Sequence, residues 1–339
     1  MAASAVSRCK LVLLMAAAAS LALAMASTAA ADDAAAASGL RYDYYNETCP
    51  GVEDMVRDEL LRRFTDDSTL PASLLRLHFH DCFVGGCDAS IMLKSHNATA
   101  ERDADPNSTL RGYEAIEAIK ALVEANCSLA VSCADIIAMA ARDAVNFSKG
   151  PWYAVETGRR DGNVSEKAAA EKYLPPADGN VTVLTRYFAA QNLTMKDMVV
   201  LSGAHTLGIS HCPSFSKRLY NHTGAGDQDP AMDAAYAEGL KKVCTPENVA
   251  SVEPMDAATP TEFDLGYYRT VYDRQAVLGS DAALLADSLT GAYVERMSNV
   301  SYLATFFADF AVSMINMGRA GVRTGADGEI RATCAIYVD

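Results

Sequence analysis

Within residues 74–90, LLRLHFHDCFVGGCDAS, Arg76 and His80 stand four positions apart. On a helix that spacing sends both side chains off one face, where they can converge on a single small substrate. An imidazole can take a proton and return it near neutral pH, and a guanidinium one turn away supplies a fixed positive charge for negative charge that develops beside it. His78 points elsewhere. Directly after His80 come the side-chain oxygens of Asp81, Asp88 and Ser90, with potential main-chain oxygens at Val84 and Gly86, the donor set that a hard cation such as calcium selects. Cys82 and Cys87 bracket this run, and a crosslink between them would hold the loop and the end of the His80 helix in one geometry. Singly, such an arginine and histidine are usually surface or core residues, and an acidic loop is usually solvated. Together they point to an active site.

The elements that must position these residues are mostly helical. Residues 111–125 place Tyr113, Ile116, Ile119 or Lys120, and Val123 at helical spacing, and residues 132–145 do the same with Ile136, Met139 and Ala140. Thr194 followed by Asp197 predicts a capped helix start, running through Val199 and Leu201 to His205 and beyond. His205 would then sit on a helix, with Gly203 and Gly208 letting a flat ligand approach. The longest helical pattern, residues 301–317, is apolar at Leu303, Phe306, Phe307, Phe310, Val312, Met314 and Met317 and reads as core. Strand signals are few, and a short hairpin is expected around residues 158–162. The breaks LPPADGN (174–180) and TGAGDQDP (223–230) are turns. There is no internal repeat and no linker, so the chain reads as one mostly α domain.

The first 31 residues read as a secretory signal: Arg8 and Lys10 precede an apolar run from Leu11 to about Met25, and small residues follow to Ala31. A permanent anchor is the weaker alternative, and no other stretch reads as apolar for long enough to span a bilayer. Cleavage leaves residues 32–339, at the upper end for a single domain. Nine cysteines become eight once Cys9 is removed, an even set that implies disulfides in an exported chain, although spacing leaves most of their connectivity open. No CxxC pair occurs, which argues against zinc. The formal charge of -14 becomes about -16 without Arg8 and Lys10, which argues against nucleic acid as a partner and favours neutral or cationic ones. Sequons at Asn46, Asn97, Asn107, Asn126, Asn146, Asn163, Asn180, Asn192, Asn221 and Asn299 suggest heavy glycosylation.

The run RLHFHDCFVGGCDAS is similar to the distal signature of the secreted plant haem peroxidases, the class III family. The similarity continues through VSCADI (131–136), GRRDG (158–162), LSGAHTLG (201–208), ATPTEFD (258–264) and GEIRATC (328–334), nearly the whole chain after about residue 39. This resemblance implies two helical lobes with one haem b between them. It assigns His80 as general acid and base, Arg76 as the charge that stabilises peroxide cleavage, Asn107 as the acceptor orienting His80, and Phe79 as a haem contact. His205 becomes the axial iron ligand, with Asp281 accepting from its other nitrogen, and Pro175 marks the mouth of the substrate channel. Two calcium sites are implied, one from Asp81, Val84, Gly86, Asp88 and Ser90 with Glu101 through a water. The other draws on Thr206, Asp256, Thr259 and Asp264 with a main-chain oxygen of Glu262. The implied disulfides are Cys49 with Cys127, Cys82 with Cys87, Cys133 with Cys334, and Cys212 with Cys244.

The implied activity is one-electron oxidation of phenolic donors by hydrogen peroxide through high-valent iron. The implied protein is a monomer in the extracellular space or cell wall rather than the vacuole, free of membrane once the signal is removed. The alternative is a glycosylated calcium-binding wall protein that keeps the scaffold without turnover; Arg76, His80, Asn107, His205 and Asp281, all present, favour the enzyme. Two departures from the family pattern stand out. Tyr153 occupies the place where tryptophan commonly follows GPx, with Trp152 one position earlier, and the connection from Asn107 to Arg111 is one residue shorter than usual. Asn107 also opens a sequon, so an exposed glycan competes with contact to His80.

Overall fold

A computed structural model describes residues 39–248 and 250–338; the signal segment expected at residues 1–31 lies outside them. Thirteen α-helices run through the described residues. Four come early: α1 (Val52–Asp66), α2 (Leu70–Phe83), α3 (Tyr113–Asn126) and α4 (Cys133–Phe147). Then follow α5 (Lys167–Tyr173), α6 (Val181–Ala190), α7 (Met195–Ser202), α8 (Ser216–Tyr220) and α9 (Ala234–Leu240). The last four are α10 (Gly266–Tyr272), α11 (Gly279–Ala283), α12 (Ser288–Met297) and α13 (Leu303–Met317). Helices α1 to α4 pack on one another, while α7 packs against α6, α12 and α13, and α10 against α12. The protein is therefore mostly α, as the sequence predicts, with two sets of helices.

Helix α4 is central: its apolar residues are enclosed together with the charges of Asp135, Arg142 and Asp143, which are paired inside the protein. Every residue from Cys133 to Val145 is buried, and Ser132 caps its start by accepting from the Asp135 N–H. It packs most extensively against α2, the helix that carries Arg76 and His80.

The β structure lies elsewhere than expected. Strand β1 (Ile209–His211) pairs antiparallel with β2 (Val252–Pro254), in the register Ile209 to Pro254 and His211 to Val252. Residues 158–162 form no hairpin. Arg160 and Asp161 instead make single bridges to Arg323 and Glu329, and the Asp161 carboxylate accepts from the Ala134 and Arg331 N–H groups. The segment is a strap whose hydrogen bonds go to the chain's C-terminal end, so it has no local strand to pair with.

One stretch is, contrary to the sequence reading, apolar and long enough by length alone to cross a membrane: Val300–Met317, mean hydropathy 1.3. Its length is a poor guide because the helix is two-sided and carries packed polar groups. Phe306 and Phe310 are fully buried against Phe263, Ser313 and Asn316 donate to Asp197, and Asp309 pairs with Lys196. Val312 is 58% exposed and so does not belong to the core face. At the other sequence departure, Trp152 lies exposed with the Arg142 guanidinium over its ring while Tyr153 is buried.

The four disulfides join the expected pairs, Cys49–Cys127, Cys82–Cys87, Cys133–Cys334 and Cys212–Cys244. A buried carboxylate ties the strap to the core: Asp135 accepts from the Tyr45 hydroxyl at 2.6 Å, the Gly158 N–H at 2.7 Å and Arg159 Nη1 at 2.8 Å. Replacing it leaves the buried Arg159 guanidinium with only carbonyl acceptors and no paired carboxylate. Asp135→Ala is expected to cost about 3–5 kcal/mol in urea unfolding; a loss below about 1 kcal/mol, the scale of an exposed pair, would contradict this.

Candidate functional site

Helix α2 begins with Pro71 in its first turn and holds Arg76 and His80 one turn apart. Both side chains bond to the same short loop. Arg76 Nη1 donates to Thr109 Oγ1 at 2.9 Å and Nη2 to the Pro106 carbonyl at 2.8 Å. His80 Nδ1 lies 2.6 Å from Asn107 Oδ1, and Asn107 Nδ2 donates to the Glu101 carbonyl at 2.6 Å. A carbonyl oxygen only accepts, so Nδ1 carries the proton and Nε2 is left bare. Burial, reinforced by the nearby Arg76 charge and opposed by Asn107, pushes the His80 pKa well below the usual histidine value. His80 is thus uncharged at neutral pH. The Phe79 ring stands edge-on to it, centroids 5.2 Å apart.

The shortened connection does not displace Asn107. A 3-10 turn, Asp105–Asn107, carries it inward, where it is 2% exposed. The nitrogen a glycan would need is enclosed and already donating. His78, as expected, faces away: it is buried beside Cys82, and burial followed by the Arg159 charge lowers its pKa to about 3.

His205 is not on an α-helix. The capping box of Thr194 and Asp197 starts α7 as expected, but α7 ends at Ser202 and His205 lies in a 3-10 turn, Gly203–Thr206. The chain then turns extended at Leu207 to enter β1, which ends the helical run. Gly203 serves packing rather than a ligand, since a Cβ there would come within 2.7 Å of the Tyr268 hydroxyl and the Phe306 ring. Gly208, at φ +90°, brings the chain after His205 against α2: a Cβ on it would lie 2.9 Å from that of Ala72. His205 is thereby brought toward the helix of Arg76 and His80, near enough for the Arg76 charge to act on it.

His205 Nδ1 donates to Asp281 Oδ1 at 2.9 Å. Burial lowers the His205 pKa, but the Asp281 charge and hydrogen bond outweigh it and the net shift is upward. Asp281 lies in the short helix α11 and is 2% exposed, whereas the His205 side chain keeps 40% of its surface open. Tyr267 donates its hydroxyl to the same Asp281 oxygen at 2.9 Å. Sequence reasoning missed Tyr267, and no spacing signals it, because the contact exists only in the folded chain. Pro175 is half-buried in the loop after α5; the neighbouring Ala177 carbonyl accepts from the Ser280 N–H, one residue before Asp281.

Two oxygen clusters flank the histidines. In the first, Asp81, Val84, Asp88, Ser90 and Glu101 are all buried, and Gly86 O accepts from the Asp88 N–H. By distance and angle, Asp81 Oδ1, Ser90 Oγ and Glu101 Oε2 find no hydrogen-bond partner among the described residues, although Ser90 lies close enough to Glu101 to favour its charged form. Burial and then the Asp88 charge push the Asp81 pKa well up, and burial and then the Asp81 charge do the same to Glu101. Arg323 Nε offsets part of the charge at Asp88 Oδ2, 3.0 Å away. In the second, Thr206 Oγ1 lies 3.1 Å from Asp264 Oδ1, 3.4 Å from Asp256 Oδ2 and 3.5 Å from the Glu262 carbonyl. Thr259 Oγ1 is 3.0 Å from each carboxylate. Among the described residues no three His, Cys, Asp or Glu side chains converge as a metal-binding group, so a cation at either cluster must draw on hydroxyl and main-chain oxygens.

A family model described as peroxidase matches residues 56–300. Over 308 residues the chain is 49% identical to a protein named peroxidase 1 from Oryza sativa subsp. japonica, covering 89% of this chain and 94% of the relative. It is 47% identical over 300 residues to peroxidase 3 of Arabidopsis thaliana, covering 88% and 91%. Peroxidase 39 of the same plant is also 47% identical, over 301 residues and 87% and 92% of the two chains. With Asn107 turned inward, site-resolved glycopeptide mass spectrometry on active protein is expected to find it unmodified while several other sequons carry sugar. High occupancy at Asn107 would contradict the contact with His80.

Proposed function

Since this chain belongs to the peroxidase family, among the plant class III enzymes, and is a peroxidase, we propose that it uses haem and hydrogen peroxide to oxidise phenolic donors by single electrons. One observation carries the reading. Two histidines, one on α2 and one in the 3-10 turn after α7, each have Nδ1 engaged, one with an amide and one with a carboxylate, and each leaves Nε2 without a partner among the described residues. A neutral imidazole whose far N–H is held by a carboxylate is the donor that suits an iron ligand. A neutral imidazole beside a fixed guanidinium suits proton transfer. The open face of His205 fits a flat group.

His205 would hold haem iron through Nε2, and the bound group would take both oxidising equivalents from peroxide and return them to donors singly. Asp281 draws on the Nδ1 proton of His205 and makes it a stronger donor, which favours oxidised iron over the ferrous form. Tyr267 steadies that carboxylate. Phe79, next to His80, would lie against the haem. His80 Nε2 removes a proton from one peroxide oxygen and delivers it to the other, so that water departs instead of hydroxide. Asn107 holds the Nδ1 proton, which keeps the bare nitrogen turned to the peroxide. Arg76, fixed by Thr109 and the Pro106 carbonyl, offsets the negative charge that grows as the O–O bond breaks. Donors would enter past Pro175.

Calcium fits both oxygen clusters. In the first, the unpartnered oxygens of Asp81, Ser90 and Glu101 and the upward-shifted carboxyls are what a missing counter-charge leaves behind. Val84 and Gly86 would add main-chain oxygens, and Glu101 would act through a water. In the second, Thr206, Asp256, Thr259, Asp264 and the Glu262 carbonyl already converge. The four disulfides suit an oxidising compartment, and export behind a signal cleaved near Ala31, with the mature chain a single domain, is the reading they support.

His80→Ala is expected to slow the first reaction with peroxide by about a hundredfold or more while leaving haem bound. Stopped-flow rates within a few-fold of the parent would contradict the role of His80. Chelation during partial unfolding should release calcium and lower Tm, because each ion held at about a thousand times its Kd contributes about 4 kcal/mol. An unchanged Tm, with no calcium found by elemental analysis, would contradict both clusters.

A further inference from the structure

A file of three tyrosines leads outward from His205. The Tyr267 ring meets the His205 ring with centroids 5.9 Å apart, Tyr267 meets Tyr268 at 5.0 Å, and Tyr268 meets Tyr293 at 5.7 Å. Tyr267 and Tyr268 are buried, whereas Tyr293, on α12, is only half-buried. Leu289, one turn earlier on that helix, is 70% exposed, so apolar surface adjoins the outermost ring.

Their hydroxyls differ in what they donate to. Tyr267 uses the Asp281 oxygen that already holds His205. Tyr268 donates to the Val199 and Val200 carbonyls at 3.0 and 3.2 Å. Tyr293 donates to Asp309 Oδ2 at 3.0 Å, and the other oxygen of Asp309 accepts from the exposed Lys196. A phenol that loses an electron becomes strongly acidic and settles only where its proton can go. A peptide carbonyl cannot take that proton, and Asp281 could take it only by weakening its bond to His205. Asp309 has no such second duty to the histidine. An oxidising equivalent that entered at Tyr267 would therefore come to rest at Tyr293.

We propose that Tyr293 is a second oxidation site, at the protein surface, for phenolic groups carried on polymers too large to reach the haem held at His205. This rests on the haem reading, because the peroxide-oxidised haem supplies the oxidant. Tyr293 gives one electron through Tyr268 and Tyr267 to that centre and its hydroxyl proton to Asp309, which leaves a neutral tyrosyl radical. A donor phenol then gives Tyr293 a hydrogen atom and becomes a phenoxyl radical, and Asp309 releases its proton to solvent.

The test mixes holoenzyme with stoichiometric hydrogen peroxide and a nitroso spin trap and locates the adduct by peptide mass spectrometry. In parallel, oxidation of a monomeric phenol and of the same phenol coupled to dextran is timed. The adduct is expected on Tyr293. Tyr293→Phe should lose it and oxidise the dextran-bound phenol about tenfold more slowly or worse, with the monomeric phenol unaffected. Asp309→Asn, which keeps the ring, should also diminish the adduct. If the Soret band responds to peroxide but no adduct forms on Tyr293, or if Tyr293→Phe oxidises the dextran-bound phenol at the parent rate, the surface site is overturned and the haem reading stands. If the Soret band does not respond at all, the haem reading falls and the surface site with it.

Discussion

A neutral imidazole has two nitrogens and one proton, so whatever holds that proton decides what the other nitrogen can do. Much of this structure serves to settle that question twice. At His80 an amide oxygen that can only accept fixes the proton on Nδ1. At His205 a carboxylate does so, with the added effect of strengthening the donor. Each holder is itself held, Asn107 by the Glu101 carbonyl and Asp281 by Tyr267. The two oxygen clusters start one residue beyond each histidine, at Asp81 and at Thr206. The first also contains Glu101, whose carbonyl steadies Asn107. A cation bound there would act on the orientation of His80 through two routes without touching it.

The scaffold sustains this by burying charge in pairs. Asp135 with Arg159, Asp161 with Arg331 and Glu156 with Arg319 fasten the strap of residues 158–162, and the residues leading into it, to α4 and to the C-terminal segment. Such pairs add little net stability against an apolar substitute, but losing one partner is costly, so they enforce a single arrangement. The Cys133–Cys334 disulfide closes the same junction covalently.

What was legible in the sequence was what local spacing encodes. Arg76 and His80 share a face because they lie one turn apart on one helix, and the Thr194 and Asp197 pair marks a helix start by mutual capping. The family resemblance supplied the long-range pairs, namely Asn107 with His80, Asp281 with His205, and the disulfides. What neither disclosed depends on which distant segments meet. Periodicity carried α7 past His205, because nothing local announces that the chain must turn at Gly208 to reach β2. The strap around Arg160 looked like a hairpin because its partners, Arg323 and Glu329, are remote. Tyr267 reaches Asp281 only through the packing of α10, and the apolar length of residues 300–317 is offset by polar contacts visible only in three dimensions.

We propose that the two bare imidazole nitrogens face a haem that reacts with peroxide. Absorption spectroscopy of the purified protein during addition of stoichiometric hydrogen peroxide tests it most directly. A Soret band that shifts at once on adding peroxide and returns when a phenol is supplied is expected. A protein with no Soret band, or with one that peroxide leaves unmoved, would contradict it.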